Sequence, residues 1–308
     1  MASIKELATV EKRFTGGHRL CPGCGEGTIV RQVLMSSPKP VVAVSCTGCL
    51  EVSSSIFPYT AWNIPWMHLA FENAAAAAAG VEAMYASLKR QDKYPHDVNI
   101  VAFGGDGGTY DIGFQALSGA AERGHKFVYV CLNNEAYMNT GIQRSSATPL
   151  GGNTTTSPAG KRSSGKRQNR KDLTEIMVAH EIPYVAQSSS GRWRDLTRKA
   201  EAAFAADGPA FLNVLSVCPL GWGTESNLAV ELCELAADTC MWPLYEVAGG
   251  AYKLTYKPKE KKPVMEYLQY HRRFRHLMKG EVGARIVAEL QEYVDRKWAA
   301  LLAKCGEV

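Results

Sequence analysis

No apolar run in the 308 residues approaches the ~18 needed to cross a bilayer. The most uniform stretch, Ala74–Ala79, is small-residue helix material, so no membrane partner is expected. The opening MASIKELATVEKRF has charges throughout and no apolar core, so no secretory leader is expected either. Net charge is nearly absent: 35 Lys and Arg against 30 Asp and Glu leave +5. That weak field suggests no nucleic-acid partner and suits a basic face for an acidic one equally well. Internal repeats and Pro- or Ser-rich linkers are also missing. What remains is a globular chain, 46% apolar and 21% charged, long enough for a sizeable core and expected in the cytoplasm.

Nine cysteines stand out against this background. In a large chain of a reducing compartment they point to free thiols, metal binding or catalysis rather than a disulfide framework. Cys21-Pro22-Gly23-Cys24 brings two thiols within reach of one metal centre, and Cys46 and Cys49 repeat the spacing. Cys218-Pro219 has the look of an iron–sulfur position. Spacing alone chooses neither between zinc, a redox dithiol and iron–sulfur, nor among Cys46, Cys49 and Cys218. Cys131, Cys233, Cys240 and Cys305 sit in core-like or helical contexts and read as plain side chains.

The organising stretch is 98–140. An apolar run, Val98 to Phe103, stops at Gly104-Gly105-Asp106-Gly107-Gly108. A helical pattern then leads to a second apolar run, Phe127 to Leu132, which ends at Asn133-Asn134. Strand, turn, helix and strand make a right-handed crossover whose two strands end on one edge. Asp106 and Asn134 therefore meet where open α/β sheets bind ligands. A carboxylate, an amide, the main-chain carbonyl of Ala136 and the close-approach glycines Gly105 and Gly107 suit a hard cation carrying a diphosphate. The bland alternative is that Asp106 caps the next helix and Asn134 closes a turn.

Around this unit the pattern predicts strands at 41–44, 183–186 and 210–217 and helices at 28–35, 71–88, 173–180 and 193–205. The fold class is α/β, with a doubly wound, mostly parallel sheet. Residues 1–20 and 50–70 read as irregular. Residues 141–170, polar and basic, are too long for an ordinary connection. The basic run Lys161, Arg162, Lys166, Arg167, Arg170 and Lys171 reads as a solvated loop, with docking of a partner subunit or coenzyme A as the functional alternative. The domain expectation is an α/β domain over 1–240 and a C-terminal arm over 241–308, packed on the domain or on a partner.

Several blocks together resemble the β subunit of the 2-oxoacid:ferredoxin oxidoreductases, closest to the pyruvate type. They are GHRLCPGCG (17–25), TGCLEV (47–52), FENAAAAAAGV (71–81), GGDGGTYDIG (104–113), NNEAYMNTGIQRSSATP (133–149), TTTSPAGK (154–161) and CPLGW (218–222). The resemblance implies a transketolase-like, thiamine diphosphate-binding fold and oxidative decarboxylation of a small 2-oxoacid. It implies thiamine diphosphate and magnesium held through Asp106, Asn134 and the carbonyl of Ala136, with Asn139 beside the reacting carbon. It implies one 4Fe–4S cluster on Cys21, Cys24, Cys49 and Cys218, leaving Cys46 out. It also implies partners: α-, γ- and δ-type subunits, ferredoxin, and pyruvate or a relative such as oxalate, with coenzyme A as a further ligand. No convincing carboxylate for activating the cofactor is apparent, Glu72 having nothing around it to support the role, and the resemblance puts that glutamate on a partner chain. The rival readings are an oxalate oxidoreductase, a non-redox thiamine-dependent decarboxylase with structural zinc, and a zinc-stabilised nucleic-acid module using the basic loop.

Overall fold

The structure is a computed structural model and describes residues 4–307. Helix α1 (Ile4–Thr9) lies inside the lead-in expected to be irregular, whose residues 1–3 fall outside the described residues. Then come α2 (Gly25–Met35), β1 (Val41–Cys46), α3 (Cys49–Ser54), β2 (Trp66–Leu69), α4 (Ala74–Arg90), β3 (Asn99–Gly105), α5 (Phe114–Glu122) and β4 (Val128–Asn133). After a long excursion follow α6 (Leu173–Val178), β5 (Tyr184–Ser189), α7 (Trp193–Ala205) and β6 (Ala210–Leu215). The chain closes with α8 (Pro219–Trp222), α9 (Ala229–Asp238), β7 (Tyr245–Ala248), β8 (Ala251–Leu254), α10 (Val264–Leu268) and α11 (Gly280–Lys304).

The eight strands form one sheet in the order β2-β1-β3-β4-β6-β5-β7-β8. The six from β2 to β5 are parallel, and β7 and β8 add an antiparallel hairpin. Alternation along the strands feeds two cores. Val101 and Phe103 face Ile29 and Val33 of α2 and Leu196 of α7. Ile100 and Ala102 face Ala74, Ala75 and Ala78 of α4 and Leu117 of α5 on the other side. The alanines let α4 lie close to β1 and β3, which is what that composition implied. A third core around Trp222, Trp242, Tyr267 and Phe274 joins the C-terminal helices to the end of β6.

Three expectations need correction. Residues 50–70 are not all loop: they hold most of α3 and the edge strand β2, four partly exposed residues without alternation to betray them. The region from 241 on is more than an arm, because β7 and β8 extend the sheet through a turn at Gly249 and Gly250, whose φ values are 54° and 82°. Segment 141–170 is a folded excursion, and part of its basic run turns inward. Gly151 and Gly152 exchange backbone hydrogen bonds with Lys166. The Lys166 ammonium is buried and donates to the carbonyls of Ser146 and Thr148, and Arg170 pairs with buried Glu135.

Candidate functional site

The carboxyl ends of β1, β3, β4 and β6 deliver the predicted residues to one edge. β3 ends in Gly104-Gly105 and β4 in Asn133, so Asp106 and Asn134 emerge side by side. The Asn134 N–H donates to Asp106 Oδ1 at 3.2 Å, and the Ser145 hydroxyl donates to Oδ2 at 2.5 Å. Asp106 is 1% exposed, and burial pushes its carboxyl up to about 7 despite those two donors. Its side chain makes no helix-capping bond, which removes the capping explanation for its presence. The glycine cluster continues as a single π-helical turn, Gly107–Ile112, before α5 begins.

Asn134 makes a more specific arrangement. Its Nδ2 donates to Glu26 Oε1 at 3.0 Å, its carbonyl accepts from Trp222 Nε1 at 2.8 Å, and its Oδ1 is buried with no partner. Buried amide oxygens are ordinarily satisfied, so this one is an acceptor waiting for a donor or a cation. Next to it Glu135 has φ 68°, an uncommon conformation for a residue with a side chain. Every group of Glu135 is tied down. Its N–H donates to Asn133 Oδ1, its carbonyl accepts from Thr148 Oγ1, and its carboxylate pairs with Arg170 and Arg273.

Of these, Glu26 and Asn134 line a cavity that also includes Gly105, Gly107, Ala136, Tyr137, Met138, Asn139, Cys46 and Cys49. A Cβ at Gly105 would meet nothing within 4 Å, whereas one at Gly107 would lie 2.3 Å from the Tyr137 ring. The first glycine opens space for a ligand and the second lets Tyr137 close the wall. Asn139 is exposed at the mouth, near enough to hydrogen-bond the Cys49 thiol. Phe71, rather than Glu72, lines the cavity.

The cysteines come to the same edge by three routes. Cys21 and Cys24 form a turn, with Cys24 N–H donating to the Cys21 carbonyl, just before α2. That turn needs Gly23 at φ 76°, where a Cβ would strike the Ser226 carbonyl at 2.4 Å. Cys49 opens α3 beyond β1, and Cys218 follows β6 and accepts an N–H from Gly221. Gly25 N–H donates to the Val217 carbonyl, which stitches the start of α2 to the Cys218 segment. Burial, helped by Glu26 and the neighbouring cysteines, raises the thiol pKa of Cys24 and Cys49, and burial raises that of Cys218 to about 11. All nine cysteines are unpaired. Among the described residues no three His, Cys, Asp or Glu side chains close on a single ion. Cys46 is buried at the end of β1, where a Cβ on Gly108 would lie 3.2 Å from its sulfur.

Sequence reasoning missed Glu26, Ser145 and Trp222. A glutamate in a helix's first turn reads as an ordinary dipole-favoured residue, and nothing local announces that this one is buried. His18, set beside the cysteines in sequence, stacks on Phe14 and covers Gly27.

Comparison with known proteins agrees with this geometry. Residues 47–214 match the family described as thiamine pyrophosphate enzyme, C-terminal TPP binding domain. Pyruvate synthase subunit PorB of Thermotoga maritima is 51% identical, the alignment covering 97% of this chain and 95% of that protein. Ketoisovalerate oxidoreductase subunit VorB of Pyrococcus horikoshii is 38% identical over 99% of this chain and 97% of its own length. A solved 2-oxoglutarate:ferredoxin oxidoreductase from Magnetococcus marinus shares the fold, with a TM-score of 0.55 at 23% identity over 73% of this chain and 78% of that one.

Proposed function

Because the chain belongs to the β-subunit family of the 2-oxoacid:ferredoxin oxidoreductases, we propose that it is the cofactor-holding, electron-collecting half of a pyruvate-oxidising enzyme. The observation that carries this reading is the shared edge, where Asn134, with its unpartnered Oδ1, lines a cavity together with Cys49, and the Asp106 carboxylate is buried directly behind it. Asp106, Asn134 and the carbonyl of Ala136 would hold magnesium, a set with one carboxylate that leaves positions for diphosphate and water. Gly105 and Gly107 would let the diphosphate approach the backbone, and Asn139 would face the reacting carbon. When bound, thiamine diphosphate supplies the carbon nucleophile that attacks a 2-oxo group and an electron sink for the decarboxylation.

Cys21, Cys24, Cys49 and Cys218 would hold one 4Fe–4S cluster. Burial and the neighbouring negative groups oppose ionisation of the Cys24, Cys49 and Cys218 thiols, so a cationic cluster is the natural compensation. The Gly221 N–H on the Cys218 sulfur is the kind of contact that tunes a cluster's potential.

Pyruvate leads because the T. maritima relative is named a pyruvate synthase, and the VorB likeness makes branched 2-oxoacids the next competitors. Partner subunits and ferredoxin complete the assembly, and nine unpaired cysteines suit a cytoplasmic setting. Among the described residues no helix is long and apolar enough to cross a membrane. The test is an anaerobic preparation of the assembled complex. Brown absorbance that bleaches with dithionite is expected, with viologen reduction fastest on pyruvate in a panel of 2-oxoacids and oxalate. A colourless complex, or one indifferent to pyruvate, overturns the proposal.

A further inference from the structure

We propose that Glu26 is a positioning residue: it fixes the Asn134 side chain so that the amide oxygen, not the amide nitrogen, faces the cation. This rests on the reading of Asp106 and Asn134 given above. The two ends of an amide differ little in shape, so something must decide which end enters the site. The backbone of Asn134 does not, since its N–H goes to Asp106 and its carbonyl to Trp222. The remaining freedom is rotation of the amide itself, and its one partner is Glu26, whose Oε1 receives Nδ2 at 3.0 Å. A carboxylate accepts and has no N–H to give, so the NH₂ group must turn to it. Oδ1 is thereby sent the other way, where it lies buried without a partner.

Glu26 suits this task by its placement. It is 3% exposed in the first turn of α2, two residues after Cys24, and lines the same cavity as Asn134. The Leu50 backbone N–H also bonds its carboxyl group, which puts that group between the segments carrying Cys24, Cys49 and Asn134. One side chain therefore orients the cation ligand and bridges the segments that carry two of the thiols.

The experiment titrates magnesium into the assembled complex at fixed thiamine diphosphate and follows cofactor binding by calorimetry, alongside the melting temperature. Glu26→Ala should raise the magnesium half-saturation by on the order of 10- to 100-fold, as loss of a partner behind a metal ligand commonly does. Thiamine diphosphate affinity should recover at saturating magnesium. Glu26→Gln, which can offer Asn134 either an oxygen or an N–H, should fall between wild type and Glu26→Ala in half-saturation. A merely structural role would lower the melting temperature of Glu26→Ala and leave the half-saturation in place, which overturns the inference. If wild-type binding ignores magnesium, the reading of Asp106 and Asn134 falls first and takes this inference with it. Should Glu26→Ala fail to assemble, Glu26→Asp, one methylene too short to reach Asn134, carries the same expectation.

Discussion

Lys166 is a basic side chain that the polar excursion carries inside. Its ammonium is buried and donates to two carbonyls, and burial, helped by Arg144 and Arg170, lowers its pKa to about 7. In the unfolded chain the group stays near its ordinary 10.4. Between those values the unfolded state binds more protons, so this residue makes stability rise with pH, by at most about 1.4 kcal/mol per unit. Lys166→Met removes the ionisation. The thermal midpoint of the variant complex, taken relative to wild type, should be most favourable near pH 6.5 and decline steadily toward pH 9.5. A difference that does not vary with pH would show that Lys166 keeps an ordinary pKa. At this scale legibility depended on whether a residue's place follows from spacing. Asp106 and Asn134 were readable because one crossover fixes them at adjacent strand ends. Lys166 and Glu26 were not, since a lone Lys in a polar loop and a Glu at a helix start look solvated until the tertiary packing is known.

Among elements, the informative connection runs from the C-terminal segment back to the cofactor loop. The turn of 3-10 helix at Arg272–Met278 places Arg273 over the Trp222 ring, 2.5 Å from the Glu135 carboxylate. Arg170 from the excursion holds the other oxygen at 3.3 Å. Glu135 in turn keeps its left-handed backbone, and that conformation aims Asn134 and Ala136 into the cavity. Arg273→Met leaves a buried carboxylate with one partner and should cost roughly 3–5 kcal/mol, with weaker thiamine diphosphate binding as the local readout. Adding Glu135→Gln removes the stranded charge and should recover part of the loss, a coupling that a double-mutant cycle measures. Additive losses would mean that the two residues act separately. Five of the six parallel strands were legible because they are continuous apolar runs bounded by turn residues, whereas the short edge strand β2 was not. The β7–β8 hairpin was not, being four residues a side with β8 half-exposed. Nor was the π turn, because a glycine-rich strand end looks the same whichever helix follows.

At the scale of the whole molecule, the proposed function calls for a carboxylate from a second chain. Among the described residues Glu26 is the one carboxylate that lines the cavity together with Asn134, and Asp106 lies buried behind it in bonds to Asn134 and Ser145. Neither is free to serve the aminopyrimidine end of a bound cofactor. Asn139 stays exposed at the mouth of the cavity. Four of the large apolar side chains left exposed, Val52 in α3, Phe57 and Tyr59 beyond it and Met67 in the edge strand β2, come from one short stretch of chain. Exposed apolar groups so concentrated are characteristic of a surface that another chain covers. The chain purified alone should therefore give no 2-oxoacid-dependent viologen reduction, even with thiamine diphosphate and magnesium present. Adding the partner subunits should restore turnover, and residues 52–67 should gain protection from amide exchange as they do so. Turnover by the isolated chain would place the missing carboxylate within it, and unchanged exchange at 52–67 would move the subunit interface elsewhere.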